Sequence, residues 1–323
     1  MDFLNSYASK IESELQQLNL PDAPKTLYHP QRYILAASGK RIRPILALMG
    51  CGICGKSPDN AMPVALAVEL VHNFTLLHDD IMDQAESRRG QTSVHIKWDT
   101  ATAILAGDSM FVQAMLQLQQ VPESVDVKAA YNVLLDGTNK VCEGQALDME
   151  FEKRTDVTSD EYLEMISGKT SALISASLKL GGVTAGASAD QLNQLEIIGN
   201  SLGLAFQIQD DLLDVVADPE KFGKRKGGDI FEGKKTYLMV KTLECCNATE
   251  RQWLTGRLKN RPLDEKDVNK VIELYRTYKI TESSEKFIDK YYQQAENALN
   301  QFDDSIYKGD LVQLINYLKK REF

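Results

Sequence analysis

An all-α fold is the structure that this sequence predicts. Long helical patterns separated by short turns of Gly, Pro and Asp run from end to end, and the alternating β-branched residues typical of strands are almost absent. Apolar residues make up 43% of the 323 residues, which is enough for a sizeable core. Since no Pro/Gly/Ser-rich linker or charge block interrupts the pattern, we expect a single all-α domain over residues 1–323.

Charge and composition argue against several classes of protein. The 37 basic and 46 acidic residues give a net charge of −9, which is unlike a general nucleic-acid or anionic-membrane binder. The opening residues lack the basic and apolar regions of a signal peptide, and no run reaches the ~20 apolar residues of a membrane span. Five scattered cysteines, an odd number, suit a reducing compartment. We therefore expect a soluble, cytoplasmic protein without a membrane span.

The first two helices lead into a cationic segment. One helix is expected from about residue 2 to 18 and another from about 30 to 38. Lys40, Arg41 and Arg43 follow, just before a proline that suits the first turn of the next helix. Amide donors at a helix start and clustered cations together make an anion site. An ordinary solvated loop fits this segment equally well.

The next helix is the one around which the rest of the chain is organised. Its apolar residues leave no wide polar stripe, so it belongs in a core, yet it ends in Asp79, Asp80 and Asp83. At about 100° per residue, Asp79 and Asp83 share one face, and Asp80 lies on the flank. These charges need a cation. Arg88 and Arg89 follow, and they suit either simple neutralisation or a metal-bridged phosphate.

A second acidic cluster lies near the end of a later helix. Beyond the cationic segment, helices are expected at about residues 59–86, 100–120, 123–153, 159–181 and 189–217. In the last of these, Gln207, Asp210, Asp211 and Asp214 follow the i, i+3, i+4, i+7 pattern and share one face. Apolar neighbours on the same helix argue for burial beside a cavity, although a solvent-facing acidic stripe fits the spacing too.

Two Asp-Asp-x-x-Asp clusters with surplus cations indicate a metal-bound diphosphate. Magnesium prefers oxygen ligands and binds through one or two carboxylates plus phosphates and waters. A Gly- and Lys-rich loop over residues 222–236 has the composition of a lid that closes over anions. The cations exceed what neutralisation requires, and a diphosphate would use all of them. They are Lys40, Arg43, Arg88, Arg89, Lys169, Lys224 and Lys234.

The ordered set of motifs resembles the trans-prenyl diphosphate synthases. The motifs are Gly39-Lys40-Arg41-x-Arg43-Pro44, Glu69-x-x-His72, Leu76-Leu77-His78-Asp79-Asp80-x-x-Asp83, Arg88-Arg89-Gly90, Thr92-x-x-His95, Ala106-Gly107-Asp108, Gly168-Lys169-Thr170, Phe206-Gln207-x-x-Asp210-Asp211-x-x-Asp214 and Gly223-Lys224-x-x-Gly227-Gly228-Asp229. The resemblance implies the all-α isoprenoid synthase fold, with long helices around a central cavity and two facing Asp-rich motifs. It also implies isopentenyl diphosphate and allylic diphosphates as substrates, about three magnesium ions, and a homodimer.

The resemblance implies a role for each motif residue. Asp79, Asp83 and Asp210 would be the main magnesium ligands, with Asp80, Asp211 and Asp214 completing or orienting the two shells. The allylic diphosphate would be held by Arg88, Lys169 and Lys234, and Lys224 would close over it. Isopentenyl diphosphate would bind separately, to Lys40, Arg43, His72 and Arg89. Near the reacting carbons, oxygen dipoles would come from Thr170 and Gln207.

Product length is expected to depend on the residues just before the first acidic cluster. The resemblance makes Phe74 and Thr75 the floor of the pocket that holds the growing chain. Phe74 stands five positions before Asp79, which is ~7–8 Å along the helix axis, although the helical wheel places Thr75 more nearly beneath Asp79. With no insertion in the cluster, the pattern most resembles geranylgeranyl diphosphate synthases, and farnesyl diphosphate synthesis is the alternative.

Two further classes of function compete with this prediction. A terpene cyclase can also use an Asp-rich magnesium site, but it needs no second diphosphate, so part of the cation set would be surplus. A catalytically silent partner subunit would be expected to have lost one acidic cluster, and both are whole here. The departures from the family pattern are small: Ser38 stands where Gly is usual, and Gln91-Thr92-Ser93 lacks the customary Pro.

Overall fold

The computed structural model describes residues 2–216, 227–259 and 262–320, and these residues confirm the all-α prediction. Within them, one short hairpin is the only β-structure. Two compact units can be distinguished. The first comprises Met1–Thr138, Ala176–Glu196 and Phe302–Asp310. The second comprises Asn139–Ser175, Ile197–Gln301 and Leu311–Phe323.

The described elements follow one another in a simple order. From the N-terminus they are α1 (Asp2–Gln16), α2 (Lys25–Leu35), α3 (Ile42–Ile53), α4 (Met62–Met82), β1 (Ser87–Arg88), β2 (Gln91–Thr92), α5 (Val94–Lys97), α6 (Thr100–Leu118), α7 (Val127–Lys153), α8 (Ser159–Ile166), α9 (Ala172–Ala185) and α10 (Ala189–Val216). The later helices are α11 (Gly228–Phe231), α12 (Tyr237–Cys245), α13 (Ala248–Leu258), α14 (Glu265–Thr277), α15 (Ile280–Leu299) and α16 (Ile306–Lys319).

Helix α4 forms the core of the first unit. A 3₁₀ turn capped by the Ser57 side chain leads into it, and Pro63 lies in its first turn, where a missing N–H leaves no hydrogen bond unmade. Helices α3 and α6 pack along it, and every residue from Val64 to Val71 is buried. By length and composition Pro58–Met82 could cross a membrane, but 67% of its apolar window is buried inside the protein. Its apolar character is therefore that of a core helix.

The second unit contains the second acidic cluster. Thr158 is the N-cap residue of α8, and its hydroxyl forms a reciprocal capping box with Glu161 that satisfies two backbone donors at the helix start. This helix packs against α12, which also contacts α14 and α15. The Asn247 and Glu250 side chains form a second capping box at the start of α13. The starts of α8 and α13 are thus fixed by local side-chain hydrogen bonds.

Several boundaries differ from those expected from the sequence. The second helix begins at Lys25 and contains Pro30, rather than beginning there. The central helix ends at Met82, and the chain continues into a hairpin. The two strands of the hairpin are too short to produce an alternating pattern in the sequence, so the sequence did not indicate it. The helix expected over residues 159–181 is divided by a π-helical turn, Ser167–Ser171. Both the hairpin and the π-helical turn carry residues of the candidate site.

Candidate active site

The first acidic motif ends helix α4. Asp80 is buried, and its Oδ1 accepts from Arg88, whose Nε lies 2.7 Å and Nη2 2.5 Å away. Asp79 Oδ2 lies 3.4 Å from Arg88 Nη2, and Asp83 is the exposed C-cap residue of the helix. Burial lowers the pKa of Arg88, but the hydrogen bond with Asp80 and the nearby carboxylate charges outweigh it and raise the pKa. One arginine therefore neutralises the buried carboxylate, while Asp79 and Asp83 are the more exposed pair.

A tight turn directs two adjacent arginines to different partners. Strands β1 and β2 pair in antiparallel register and leave Arg89 and Gly90 as the two-residue connection. Their φ angles are +53° and +74°, as a type I′ turn requires. This left-handed conformation is unfavourable by about 1 kcal/mol or more for a residue with a side chain. Arg88 contacts Asp80, whereas Arg89 Nη2 lies 3.5 Å from His72 Nε2.

A second group of cations surrounds His72. Its Nε2 lies 3.4 Å from Arg43 Nη1 and 3.5 Å from Arg89 Nη2. Burial lowers the pKa of His72 well below its usual value, and the surrounding guanidinium charges lower it further, so the imidazole is neutral and can accept at Nε2. Burial also lowers the pKa of Arg43, to about 10, which leaves it charged at neutral pH. Gly39 lies against this group, since a Cβ there would be 3.0 Å from Arg89 Nη1, and the exposed Lys40 follows.

A buried ion pair supports the segment that carries Lys40 and Arg43, and sequence reasoning did not identify it. The Arg41 side chain is 3% exposed, and its Nη1 lies 2.5 Å from Glu69 Oε1. Its Nη2 donates to the Leu35 and Ala37 carbonyls at 2.8 and 2.9 Å. Asn73 donates to the same Glu69 oxygen at 3.0 Å. The available signal was a lone glutamate inside an apolar helix, since such a charge needs a partner.

The residues predicted to set product length lie on α4, and Phe74 faces α6. The Phe74 ring stands edge-on to His78, with 4.8 Å between ring centroids, and its centroid is 5.6 Å from that of Phe111 on α6. The Thr75 hydroxyl donates to the His72 carbonyl at 2.8 Å. Phe111 was not singled out by its sequence pattern, because only the packing of α6 on α4 brings the two rings together.

In the second unit, a close helix contact positions Lys169 and Thr170. Both lie in the π-helical turn Ser167–Ser171, a local geometry frequently found at functional sites. The turn approaches α7 so closely that a Cβ at Gly144 would be 2.1 Å from the backbone nitrogen of Lys169. Lys169 Nζ contacts Asp148 Oδ2 at 2.5 Å, and their side chains are 29% and 39% exposed. This ammonium group is therefore held at a surface that solvent reaches.

A hydrogen-bonded chain links Thr170 to the second acidic motif. The Thr170 hydroxyl donates to Gln207 Oε1 at 3.0 Å, and Gln207 Nε2 donates to Asp211 Oδ1 at 3.2 Å. Asp211 Oδ2 accepts from the Tyr162 hydroxyl at 2.6 Å and from the Tyr237 N–H at 2.9 Å. Burial raises the pKa of Asp211 to about 7, although these three donors act to lower it. Both oxygens of this carboxylate are occupied by protein donors.

The last aspartate of the second motif contacts the start of α11. Asp214 Oδ2 accepts from the Asp229 N–H at 3.1 Å, and the Asp214 carbonyl accepts from the Gly227 N–H at 2.8 Å. Lys234, just beyond α11, lies 2.8 Å from Glu232 Oε2 and 3.4 Å from Asp229 Oδ1. Its side chain is 57% exposed, so it can reach a further anion.

The residues named from the sequence divide between the two units. The first unit holds Lys40, Arg43, His72, Phe74, Thr75, Asp79, Asp80, Asp83, Arg88 and Arg89. The second holds Lys169, Thr170, Gln207, Asp210, Asp211, Asp214 and Lys234. Lys224 and the rest of residues 222–226 lie outside the described part of the chain.

The acidic residues fit an open metal site rather than a closed cage. Among the described residues, no three His, Cys, Asp or Glu side chains are gathered as a complete metal site. Open carboxylate sites fit magnesium, which keeps waters and takes substrate phosphates as ligands. Helix ends rich in aspartate, with guanidinium and ammonium groups beside them, offer the oxygen ligands and the cations that a metal-bridged phosphate would use.

Comparison with known proteins identifies the family. The polyprenyl synthetase family model matches residues 24–275. The short chain isoprenyl diphosphate synthase of Methanothermobacter thermautotrophicus is 41% identical over 322 residues, which cover 100% of this chain and 98% of that protein. The crystal structure of geranylgeranyl pyrophosphate synthetase from Pyrococcus horikoshii Ot3 has a TM-score of 0.94 at 36% identity, and the match covers 99% of this chain and 98% of that one. This chain belongs to the polyprenyl synthetase family.

A further relative was solved with ligands. The crystal structure of polyprenyl synthase from Caulobacter crescentus CB15, complexed with calcium and isoprenyl diphosphate, has a TM-score of 0.87 at 26% identity and covers 100% of this chain and 97% of that one. The resemblance seen in the motifs and the isoprenoid synthase fold are thus confirmed, and the protein is a prenyltransferase.

Proposed function

We propose that this enzyme joins isopentenyl diphosphate head-to-tail to an allylic diphosphate and releases geranylgeranyl diphosphate. The observation that carries the proposal is the separation of the two arginines at the hairpin. Arg88 binds Asp80 of the acidic motif, whereas Arg89 lies beside His72 and Arg43. One hairpin thus contributes one cation to the acidic motif and one to the group of cations around His72. Condensation requires two diphosphates, whereas a terpene cyclase requires one.

Magnesium is the metal that these acidic groups fit best. Asp79 and Asp83 lie one turn apart on α4, and Asp210 begins the second motif; all three offer the hard oxygen ligands that an octahedral ion prefers. About three ions would stabilise the charge that develops on the departing diphosphate. The other aspartates of the two motifs accept hydrogen bonds from protein groups. We assign them to orienting the metal ligands.

The lysines of the second unit would hold the allylic diphosphate as its C–O bond breaks. Lys169 pairs with Asp148, and Lys234 pairs with Glu232. Such partly exposed pairs are worth little, about 0–1 kcal/mol, so a diphosphate with several negative charges can replace the carboxylates. Lys224 would close over the ligand. Isopentenyl diphosphate would be held by Lys40, Arg43, His72 and Arg89.

The bond changes require no basic side chain. The allylic C–O bond breaks, the alkene of isopentenyl diphosphate attacks the allylic cation to form the new C–C bond, and the released diphosphate takes the proton that is lost. Thr170 and Gln207 would place oxygen dipoles beside the cation. His72 is neutral, but its Nε2 faces two guanidinium groups, so we assign it to binding rather than to proton transfer.

A twenty-carbon product is proposed from the surroundings of Phe74. This ring contacts His78 and faces Phe111, so a bulky aromatic group stands ~7–8 Å along the helix from Asp79. Chain growth beyond this depth would require the rings to move apart. Thr75 lies next to Phe74 and would shape the same floor.

A homodimer is proposed from an apolar face of α6. Ile104, Leu105, Val112 and Leu116 are 41%, 60%, 55% and 43% exposed, and they share about 120° of the helix surface. Asp108 lies within this arc and its side chain is 60% exposed, so the face is apolar around one charged residue. A largely apolar exposed face of this kind marks a protein interaction site. A second copy of this chain would cover it. We further propose that the two units act as one catalytic domain, since the family model includes residues of both, and that the enzyme is cytoplasmic.

The test is incubation of the purified chain with magnesium and isopentenyl diphosphate, together with the five-, ten- or fifteen-carbon allylic diphosphate, followed by sizing of the products. We expect elongation to twenty carbons with each. A fifteen-carbon end product would replace the proposal by farnesyl diphosphate synthesis. Conversion of allylic diphosphate without isopentenyl diphosphate would indicate a cyclase. If no elongation occurs with any of the three, a silent partner subunit becomes the better explanation.

A further inference from the structure

A buried tyrosine, Tyr162, holds the carboxyl group of Asp211, the middle aspartate of the second acidic motif. The Tyr162 hydroxyl donates to Asp211 Oδ2 at 2.6 Å, the shortest of the three hydrogen bonds that this carboxylate accepts. Both residues are 4% exposed. The bond joins α8 to α10, and it spans 49 positions of the chain. With two donors on Oδ2 and one on Oδ1, Asp211 is held in a single orientation.

This orientation determines the direction of the hydrogen bonds that lead to Thr170. Asp211 accepts with both of its oxygens, and Gln207 therefore presents its NH₂ group to Oδ1. The amide oxygen of Gln207 then faces Thr170 and accepts from its hydroxyl. Because the hydroxyl proton of Thr170 is used in this bond, its lone pairs remain available to a cation. If the Gln207 amide were reversed, Thr170 would accept from NH₂ and lose part of that capacity.

We propose that Tyr162 is a positioning residue for prenyl transfer, acting through Asp211 and Gln207 on Thr170. Its hydroxyl holds Asp211 so that the amide of Gln207 points its oxygen toward Thr170. Asp211 in this arrangement belongs to the protein network rather than to the metal ligands, because both its oxygens already accept from protein donors. The inference rests on the proposed function, since Thr170 is the group assigned to the reacting cation.

The first experiment compares Tyr162→Phe with Tyr292→Phe. Tyr292 is an apt control because it is 1% exposed and its hydroxyl donates at 2.8 Å to Gln209, on the same helix as Asp211. We expect Tyr162→Phe to lower kcat about tenfold, the value of one hydrogen bond to a charged group. The KM values and the magnesium concentration for half-maximal rate should stay within about twofold. The control should lose similar thermal stability and keep its kcat.

A double-mutant cycle with Thr170→Val tests the route of the effect. If Tyr162 acts through Thr170, the double variant should have the same kcat as Thr170→Val alone, because the pathway is already broken. The inference would be overturned if the two losses of kcat multiplied in the double variant. It would also be overturned if Tyr292→Phe lost as much kcat as Tyr162→Phe, or if Tyr162→Phe kept the wild-type kcat. A wild-type chain that elongates no allylic diphosphate would instead refute the proposed function, so the two failures are distinguishable.

A second variant serves if Tyr162→Phe does not fold. Asp211→Asn keeps the size of the side chain and an oxygen for Tyr162, but it presents an NH₂ group to Gln207 and so reverses that amide. We expect kcat to fall while the magnesium dependence stays unchanged. A higher magnesium requirement in Asp211→Asn would mean that Asp211 binds the metal, and the inference would then be wrong.

Discussion

Replacing Glu69 by glutamine should destabilise the first unit more than any other single removal of charge that we consider. Glu69 and Arg41 form an ion pair whose side chains are 2% and 3% exposed. The substitution keeps the shape of the side chain and an oxygen that can accept from Arg41 and Asn73. It removes only the negative charge, and so it leaves the guanidinium group of Arg41 buried.

The expected cost follows from what else surrounds Arg41. Breaking a buried pair by removing one partner costs about 3–5 kcal/mol. A second carboxylate, that of Glu12, has its Oε1 3.9 Å from Arg41 Nε, but its side chain is 46% exposed and well solvated. The glutamine oxygen retains part of the hydrogen bonding. We therefore expect about 3 kcal/mol, or a fall of about 5 °C in the unfolding midpoint.

Urea and thermal unfolding of the metal-free protein measure this cost, with Glu196→Gln as the control. Glu196 lies 2.7 Å from Lys179, and these side chains are 36% and 22% exposed, so its loss should cost about 1 kcal/mol or less. The double variant Arg41→Met/Glu69→Gln should be less destabilised than the sum of the single variants by about 2 kcal/mol. A loss below about 1 kcal/mol in Glu69→Gln, or strictly additive effects, would refute the reasoning.

Three further changes test the site and the assembly. Burial lowers the pKa of His72 in the folded protein, whereas in the unfolded chain the pKa has its usual value of 6.5, so below pH 6.5 the unfolded chain binds a proton that the folded protein does not. The free energy of unfolding should therefore fall as the pH drops below 6.5. His72→Gln should reduce this pH dependence in a series of denaturation curves. Phe74→Ala should lengthen the products by at least one isoprene unit, because the ring that faces Phe111 is removed, as chromatographic sizing would reveal. Leu105→Glu should convert the proposed dimer to a monomer in size-exclusion chromatography, since a charge then replaces the most exposed apolar residue of the α6 face.

Each of these changes has an outcome that contradicts it. Identical pH profiles of stability for the His72 variant and the wild type would mean that His72 titrates normally in the folded protein. An unchanged product after Phe74→Ala would remove this ring as the chain-length gate. A dimer that survives Leu105→Glu would place the subunit interface on another surface.

The sequence predicted those parts of the site that depend on residue type and helical spacing. Asp79 and Asp83 are one turn apart because they stand four positions apart at the end of one helix, with Asp83 as its C-cap residue, and the same rule applies to Asp210 and Asp214. Arg88 follows α4 so closely that contact with the first motif could be expected. These inferences needed no knowledge of long-range packing.

The partners of these residues could not be predicted in the same way. Lys169 meets Asp148 from 21 positions away, and Asp211 meets Tyr162 from 49. Such pairs depend on how helices pack, which composition and periodicity do not determine. The sequence also could not predict that Arg88 and Arg89 contact different partners. This depends on a two-residue turn in which Arg89 has a positive φ, and local preference would place Gly or Asn at such a position.

The middle aspartate of each Asp-Asp-x-x-Asp motif has a structural task that follows from helix geometry. It lies about 100° from the first aspartate, so it points to the protein side when the first and last face the ligand. Asp80 and Asp211 are accordingly 1% and 4% exposed, yet Arg88 compensates the first, whereas the donors to the second in the described part of the chain are neutral. Asp80→Asn should therefore cost about 2 kcal/mol, because Arg88 loses the carboxylate that both its Nε and its Nη2 contact and keeps only the longer 3.4 Å contact with Asp79.

Asp211→Asn should cost less at neutral pH, because burial already raises the pKa of that carboxyl to about 7 and a neutral side chain avoids the desolvation of a charge. Denaturation of the two metal-free variants side by side gives the comparison. Equal losses would mean that Arg88 adds no charge-specific stability at Asp80. A larger loss in Asp211→Asn would mean that its three donors stabilise a full negative charge, and that the two motifs are compensated in the same way.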